Sequence, residues 1–311
     1  MKRNGSSHLF ACLVPTYSIV AYDPSNGDLG VTVQSRYFSV GSIVPWVEAD
    51  VGAVPTQSFV NVSYGPRGLK LLKEGLGVEE VIRELTGEDE GRELRQLGIV
   101  DAKGNAAAYT GEKCLKWAGS KTGDCYSAQG NILVSERVVQ SMAQTFESVE
   151  GDLASRLVSA LDAGEKAGGD ARGRQSAALL VVRKDAGRGG YGDKLVDLRV
   201  EDDPDPVREL KRLMELHRAY YLIDEGESRF AENEPEVAIS FIEKALEITP
   251  NSDDAYIDLG LMHLKLGQVD EAVRAFKKAL VINPKLAVVI KQLPELGIAE
   301  MSPSLLERIG V

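Results

Sequence analysis

Tyr17-Ser18-Ile19-Val20-Ala21-Tyr22 and Leu29-Gly30-Val31-Thr32-Val33 are two β-rich runs, and every residue of the Asp23-Pro24-Ser25-Asn26-Gly27-Asp28 segment between them is a turn former. Branched and aromatic side chains suit a pleated surface, while Pro, Asn, Gly and Asp reverse the chain, so this stretch predicts an antiparallel hairpin. Outward from it, Gly-punctuated apolar runs continue at 42–47 and 51–54 and predict more strands. Helical spacing then takes over, with Val78, Val81, Ile82 and Leu85 at i, i+3, i+4 and i+7. Strand patterns return at 97–100 and 106–109 around the turn Asp101-Ala102-Lys103-Gly104-Asn105, and again at 126–134. Val138, Met142 and Phe146, then Leu153, Leu157 and Leu161, repeat every four residues, until Gly164 and Gly168-Gly169 end the run; 176–182 and 194–200 read as strands. Segregated strand and helix blocks favour antiparallel sheets over alternating βαβ units. The expected class is α+β, a four-layer αββα sandwich with a helix pair outside each sheet.

Composition narrows the function classes. The 311 residues carry 36 Lys+Arg against 47 Asp+Glu, a net charge of −11, with 43% apolar residues. A nucleic-acid surface needs dense positive charge, so no nucleic-acid partner is expected. No run approaches the roughly 18 apolar residues of a membrane helix, so no membrane partner is expected either. Lys2 and Arg3 precede an apolar core at 9–14 that is shorter than a signal peptide's and lacks a small-x-small cleavage site; residues 1–15 read as an N-terminal extension. Cys12, Cys114 and Cys125 make neither a metal motif nor a disulfide framework, which fits a reducing compartment and a cytoplasmic location. His8, His217 and His263 form no ligand motif, and Glu201-Asp202-Asp203 with Asp205 reads as a solvated acidic linker. No metal and no cofactor is expected.

Composition changes at Pro204-Asp205-Pro206, from a Gly- and Val-rich half to one rich in Ala, Leu, Glu and Lys. Proline disfavours helix in the residue before it, so the triplet marks a boundary between domains at 16–205 and 206–311, with a helix beginning near Val207. The second half repeats at a 34-residue offset: Gly226 and Gly260, Ala238 and Ala272, Ala245 and Ala279, Leu246 and Leu280, Pro250 and Pro284. These are tetratricopeptide-type repeats at 219–252 and 253–286, an all-α domain in which small residues let paired helices approach and Pro ends the second helix. Asn233 three before Glu236 resembles a capping box. Two repeats fall short of the roughly three a solenoid needs, so the helices expected at 207–217 and 302–309 are their candidate supports. The repeats suit a groove for a protein or peptide partner, or alternatively a rigid addition that completes packing or a homo-oligomer.

The first half resembles the domain of unknown function 1028 family. The resemblance is carried by Thr16–Asp23, Gly41-Ser42-Ile43-Val44-Pro45-Trp46, Gly52-Ala53-Val54-Pro55-Thr56-Gln57-Ser58, Tyr64-Gly65-Pro66-Arg67-Gly68-Leu69, Gln129-Gly130-Asn131 and Gly168-Gly169-Asp170-Ala171-Arg172-Gly173-Arg174-Gln175-Ser176. It implies a fold similar to that of N-terminal-nucleophile hydrolases, in which the first residue of the first strand supplies the nucleophile and its own α-amine the base. Thr16 stands at that position, but Pro15 acylates its nitrogen, so a free amine requires cleavage of Pro15–Thr16. Gln34-Ser35-Arg36 resembles the superfamily's Asp-Ser-Arg motif with an amide in place of the carboxylate, and the first lysine after Thr16 is Lys70. Thr16, Gln34 and Ser35 are the catalytic candidates; the alternative for Thr16 is a strand threonine bonded to backbone.

Arg36, Gln57, Ser58, Arg67, Asn131, Asp170, Arg172 and Arg174 fall in the matching loops and are the ligand-binding candidates, because guanidinium forks and amides suit a small anionic or amide-bearing ligand. The competing reading is that Asp170 pairs with Arg172 or Arg174 and pins a turn. Two functions follow: a hydrolase of a small amide or peptide fused to an interaction module, or a non-catalytic ligand-binding or assembly protein that keeps the hydrolase fold.

Overall fold

The computed structural model describes residues 13–311; most of the expected N-terminal extension, with His8 and Cys12, lies outside the described residues. The chain divides into two compact units that meet at Arg212 and Leu213.

In the first unit, β1 (Leu13–Val14) precedes the predicted hairpin, β2 (Thr16–Asp23) and β3 (Asp28–Ser35), whose turn closes through Gly27 at φ 83°. The expected strands at 42–47 and 51–54 shrink to β4 (Val47–Glu48) and β5 (Gly52–Ala53), because Val40–Ser42 coils into a single helical turn. There follow β6 (Thr56–Phe59), α1 (Tyr64–Lys73), α2 (Val78–Gly87), β7 (Arg95–Asp101) and β8 (Ala106–Thr110). The Gly-rich segment after β8 forms an unforeseen strand, β9 (Gly119–Gly123), beside β10 (Tyr126–Gly130), which ends earlier than the apolar pattern suggested. Helices α3 (Arg137–Ser148) and α4 (Leu153–Lys166) and strands β11 (Ser176–Val182) and β12 (Lys194–Val200) complete the unit.

All pairing is antiparallel, in two sheets. One runs β1-β6-β7-β5-β4 with β8 on the other side of β7; the second runs β12-β11-β3-β2-β10-β9. The β2–β3 register is unbroken from Thr16↔Ser35 to Asp23↔Asp28. Side chains alternate along a strand, so Thr16, Ser18 and Val20 share one face with Ser35, Val33 and Val31, while Tyr17 and Gln34 share the other. Contacts identify the faces. Val20, Leu29 and Val31 cluster with Ala53 and Val100 of the first sheet, whereas Gly30, on the Gln34 face, lies so close to Leu157 of α4 that a Cβ would come within 2.7 Å of it. On the first sheet, Leu97 and Ile99 are buried against Tyr64 and Leu69 of α1 and Val78, Val81 and Leu85 of α2. The unit is therefore mixed α+β, with two antiparallel sheets as its frame.

Helix α5 (Pro206–Ala231) begins on the predicted proline and continues without a break past the residues expected to separate two helices, since 217–219 contain neither Gly nor Pro. The second unit continues with α6 (Pro235–Ile248), α7 (Asp253–Lys265), α8 (Val269–Ile282), α9 (Leu286–Gln292) and α10 (Pro303–Ile309). The capping-box expectation is corrected: Glu234 is the residue before α6, Asn233 adopts a left-handed turn conformation at φ 66°, and no side chain caps the helix. Glycine at the helix crossings is explained by contact, since a Cβ on Gly226 would lie 2.9 Å from Ile242 and one on Gly260 2.8 Å from Phe276. The C-terminal helices pack on α8: Ile290, Leu293, Met301, Leu305 and Ile309 are buried with Ala272, Val273 and Phe276. Among the described residues, no helix is long and apolar enough to cross a membrane.

Candidate functional site

The first unit joins its sheets through a polar network. Ser18 Oγ donates to Gln57 Oε1 at 2.7 Å, Gln57 Nε2 donates to Gln96 Oε1 at 2.8 Å, and Asn131 Nδ2 donates to the same oxygen at 2.9 Å. Gln129 Nε2 donates to Ser18 Oγ at 2.7 Å, and Gln96 Nε2 reaches Gly130 O at 2.8 Å. All five side chains are fully buried. Inside a sheet interface an amide without partners is costly, so such a network holds one strand register in preference to others.

Thr16 opens β2 at the end of this network and is itself fully buried. Its Oγ1 donates to Val14 O at 2.7 Å, and its carbonyl accepts from Asn131 N at 3.0 Å. The carbonyl oxygen of Pro15, whose carbon is bonded to the Thr16 nitrogen, accepts from Ser35 Oγ at 2.6 Å and from Arg172 Nη2 at 3.1 Å. Arg172 is aimed by Asp170, whose side chain is fully buried and accepts Arg172 Nη2 at 2.7 Å, Arg172 Nε at 3.1 Å, Arg172 N at 2.9 Å and Arg36 N at 3.2 Å. Asp170 thus pins the turn and also directs a guanidinium at the Pro15 carbonyl. Two non-glycine residues in the left-handed region flank the same place: Ser58 at φ 72°, paired across from Val14, and Ile132 at φ 52°, directly after Asn131. Each such conformation costs on the order of 1–3 kcal/mol and persists where the surrounding structure enforces it.

Among the sequence candidates, Thr16, Ser35, Gln57, Asn131, Asp170 and Arg172 come together here, and Arg36 joins them through its backbone and through Nη1, 3.2 Å from Arg172 O. Gln34 does not. It lies opposite Tyr17 on the α4 face, away from the Thr16 hydroxyl, and neither of its amide atoms has a partner among the described residues. Asn131 Oδ1, on the inter-sheet side, is likewise unpartnered. Ser58 Oγ points to Cys114 Sγ at 3.6 Å, and Arg67 sits on α1, paired with Glu88 and outside the cluster. Burial raises the thiols of Cys114 and Cys125, which keeps both protonated near neutrality.

On the α4 face a second set forms around the candidate Arg174, together with Tyr17 and Glu165, which the sequence did not single out. Tyr17 Oη donates to Glu165 Oε2 at 2.5 Å, and Arg174 pairs with Glu165 Oε1 at 2.5 Å and with Asp205 at 3.4 Å. Burial, reinforced by Glu165, raises the Tyr17 phenol well above its usual range. Beside it, Arg36, Arg174, Gln175, Asp202, Asp203 and Pro204 line a cleft of about 480 Å³. A periodic strand pattern gives Tyr17 only a core role, and Glu165 lies in the last turn of a helix 148 residues away; nothing local in the sequence links them.

The fold and site define a two-sheet α+β domain, cross-braced by buried amides, that carries a tetratricopeptide helical module. Residues 16–210 match the model of a family of unknown function (DUF1028), and the chain belongs to that family; residues 253–286 match a tetratricopeptide repeat. Among solved structures, the chain is similar to the crystal structure of protein SPO2555 from Silicibacter pomeroyi, described as a DUF1028 protein. The two share 32% identity with a TM-score of 0.59, over 64% of this chain and 84% of that one. No curated protein matches the chain.

Proposed function

We propose that the N-terminal unit is a four-layer αββα hydrolase of the N-terminal-nucleophile type, acting on an amide bond of a small molecule or peptide in the cytoplasm, and that its repeats dock a protein partner. The observation that carries this reading is the pair of donors, Ser35 Oγ and Arg172 Nη2, on the carbonyl oxygen of Pro15. Hydrogen bonds and positive charge aimed at a carbonyl oxygen stabilise the negative charge that develops there during nucleophilic attack. Rotation of the Thr16 side chain from Val14 O would turn Oγ1 on the Pro15 carbon. The C–N bond then breaks as the ester to Oγ1 forms, with the hydroxyl proton passing to nitrogen. Water hydrolyses that ester, leaving a carboxylate on Pro15 and a free α-amine on Thr16, which is the base the chemistry needs. The unpartnered Asn131 Oδ1, on the same face, suits an acceptor for that amine.

A second reading, a ligand-binding or assembly protein without turnover, is favoured by the complete burial of Thr16 and by the position of Gln34 on the opposite face. Intact-mass analysis of purified protein, with a screen of small amides and dipeptides, separates the two. The hydrolase reading expects a chain beginning at Thr16 whose turnover disappears in Thr16→Ala. An uncut chain with saturable ligand binding and no turnover supports the second reading, and turnover that survives Thr16→Ala removes Thr16 from the mechanism.

A further inference from the structure

The 34-residue repeat places α6 and α8 in equivalent positions of successive repeats, and their outer faces carry opposite charge. On α6, Glu236, Glu243 and Glu247 are exposed and none is ion-paired among the described residues; the one cation on that helix, Lys244, stacks over Phe241. On α8, the positions equivalent to Glu243 and Lys244 are Lys277 and Lys278, both exposed and without an ion pair among the described residues, while the helix's acids Asp270 and Glu271 are taken by Arg308 and Arg274. The basic character continues into α9: residues 272–294 hold Arg274, Lys277, Lys278, Lys285 and Lys291 and no acid, in a chain of net charge −11. Apolar side chains accompany it, with Val281 81%, Val288 62% and Val289 45% exposed, and Val237 44% exposed on α6. The spacing 274, 277, 278, 281 puts that group on one face of α8, and Val288 and Val289 follow on α9, which Lys285 immediately precedes.

We infer that this face is the interface between two copies of the chain, related by a two-fold axis that lays α6 of one copy on α8 of the other. A two-fold contact needs a self-complementary patch, and an acidic helix beside its basic repeat equivalent meets that condition twice per interface. The exposed valines supply the apolar contact that charge alone does not. The acidic face of α6 makes a second copy the complementary occupant, and the chain's net negative charge disfavours an anionic lipid surface.

The test is the mass of the full chain in solution by light scattering. Wild type is expected at twice the mass of one chain, and to dissociate as NaCl rises from about 50 mM to about 500 mM, a range over which screening shortens the reach of charge severalfold. Lys277→Glu with Lys278→Glu, and separately Glu243→Lys with Glu247→Lys, each change only exposed side chains; each variant should run as a monomer with unchanged helical circular dichroism. An equimolar mixture of the two variants should recover the two-chain species, because every like-charge contact becomes an opposite one. A monomeric wild type at low salt, variants that remain dimeric, or a mixture that stays monomeric would overturn the proposal. Sedimentation of a monomeric wild type with phosphatidylserine vesicles would do so by assigning the face to lipid.

Discussion

Asp170→Ala should destabilise the first unit by about 2–3 kcal/mol and loosen the Pro15–Thr16 peptide. The carboxylate is fully buried and accepts four hydrogen bonds, three of them from Arg172. Removing one partner of a buried ion pair costs about 3–5 kcal/mol. The Arg172 side chain keeps 34% of its surface in water, so part of its charge is resolvated and the lower end of that range, or slightly below it, applies. Trp46 and Trp117 are the only two tryptophans, and both belong to the first unit, so tryptophan fluorescence in urea reports its unfolding without interference from the repeats. A double-mutant cycle with Arg172→Ala isolates the pair, and its coupling energy should reach about 1.5–3 kcal/mol. A loss below about 0.5 kcal/mol for Asp170→Ala, or strictly additive single mutants, would refute the view that Asp170 aims Arg172 at the Pro15 carbonyl.

Other consequences concern pH and packing. Burial disfavours the Asp89 carboxylate, but hydrogen bonds from Arg95, Asn61, the Gly91 amide and Tyr64 outweigh it and hold the carboxyl well below the usual range. Its stabilising contribution is therefore present above the unfolded pKa of about 4 and is lost as pH falls below that, so Asp89→Asn should flatten the acid limb of a fluorescence-monitored stability profile. In the repeats, burial and then the charges of Glu227 and Asp254 push the Asp258 carboxyl up to about 7. A raised carboxyl binds its proton more tightly when folded, so the second unit should lose stability as pH rises from about 4 to about 7, and Asp258→Asn should remove that slope in thermal melts followed by circular dichroism. Gly260→Ala gains helix propensity yet forces a methyl against Phe276, and should cost about 1–3 kcal/mol in the same melts; a stabilised variant would show that the ring yields freely.

Local signals in the sequence determined much of this molecule. The turn formers at 23–28 and the alternation around them produce a hairpin in unbroken register, and apolar spacings of three and four residues mark α2, α3 and α4, because these patterns depend on neighbours a few residues apart. The 34-residue offset marks the glycines of the helix crossings as well, because a repeated unit meets the same packing constraint at the same position. Tertiary structure alone decided which polar residues meet. Gln34 and Thr16 look like partners in a motif, yet strand alternation and the side on which α4 packs send them to opposite faces of one sheet. Asp170, Arg172, Ser35 and Pro15 converge only when β3 and the turn after α4 are brought side by side, and Tyr17 finds Glu165 across 148 residues. Hydrogen bonds are short-ranged and directional, so their partners are set by the packed chain and leave no periodic trace in the sequence.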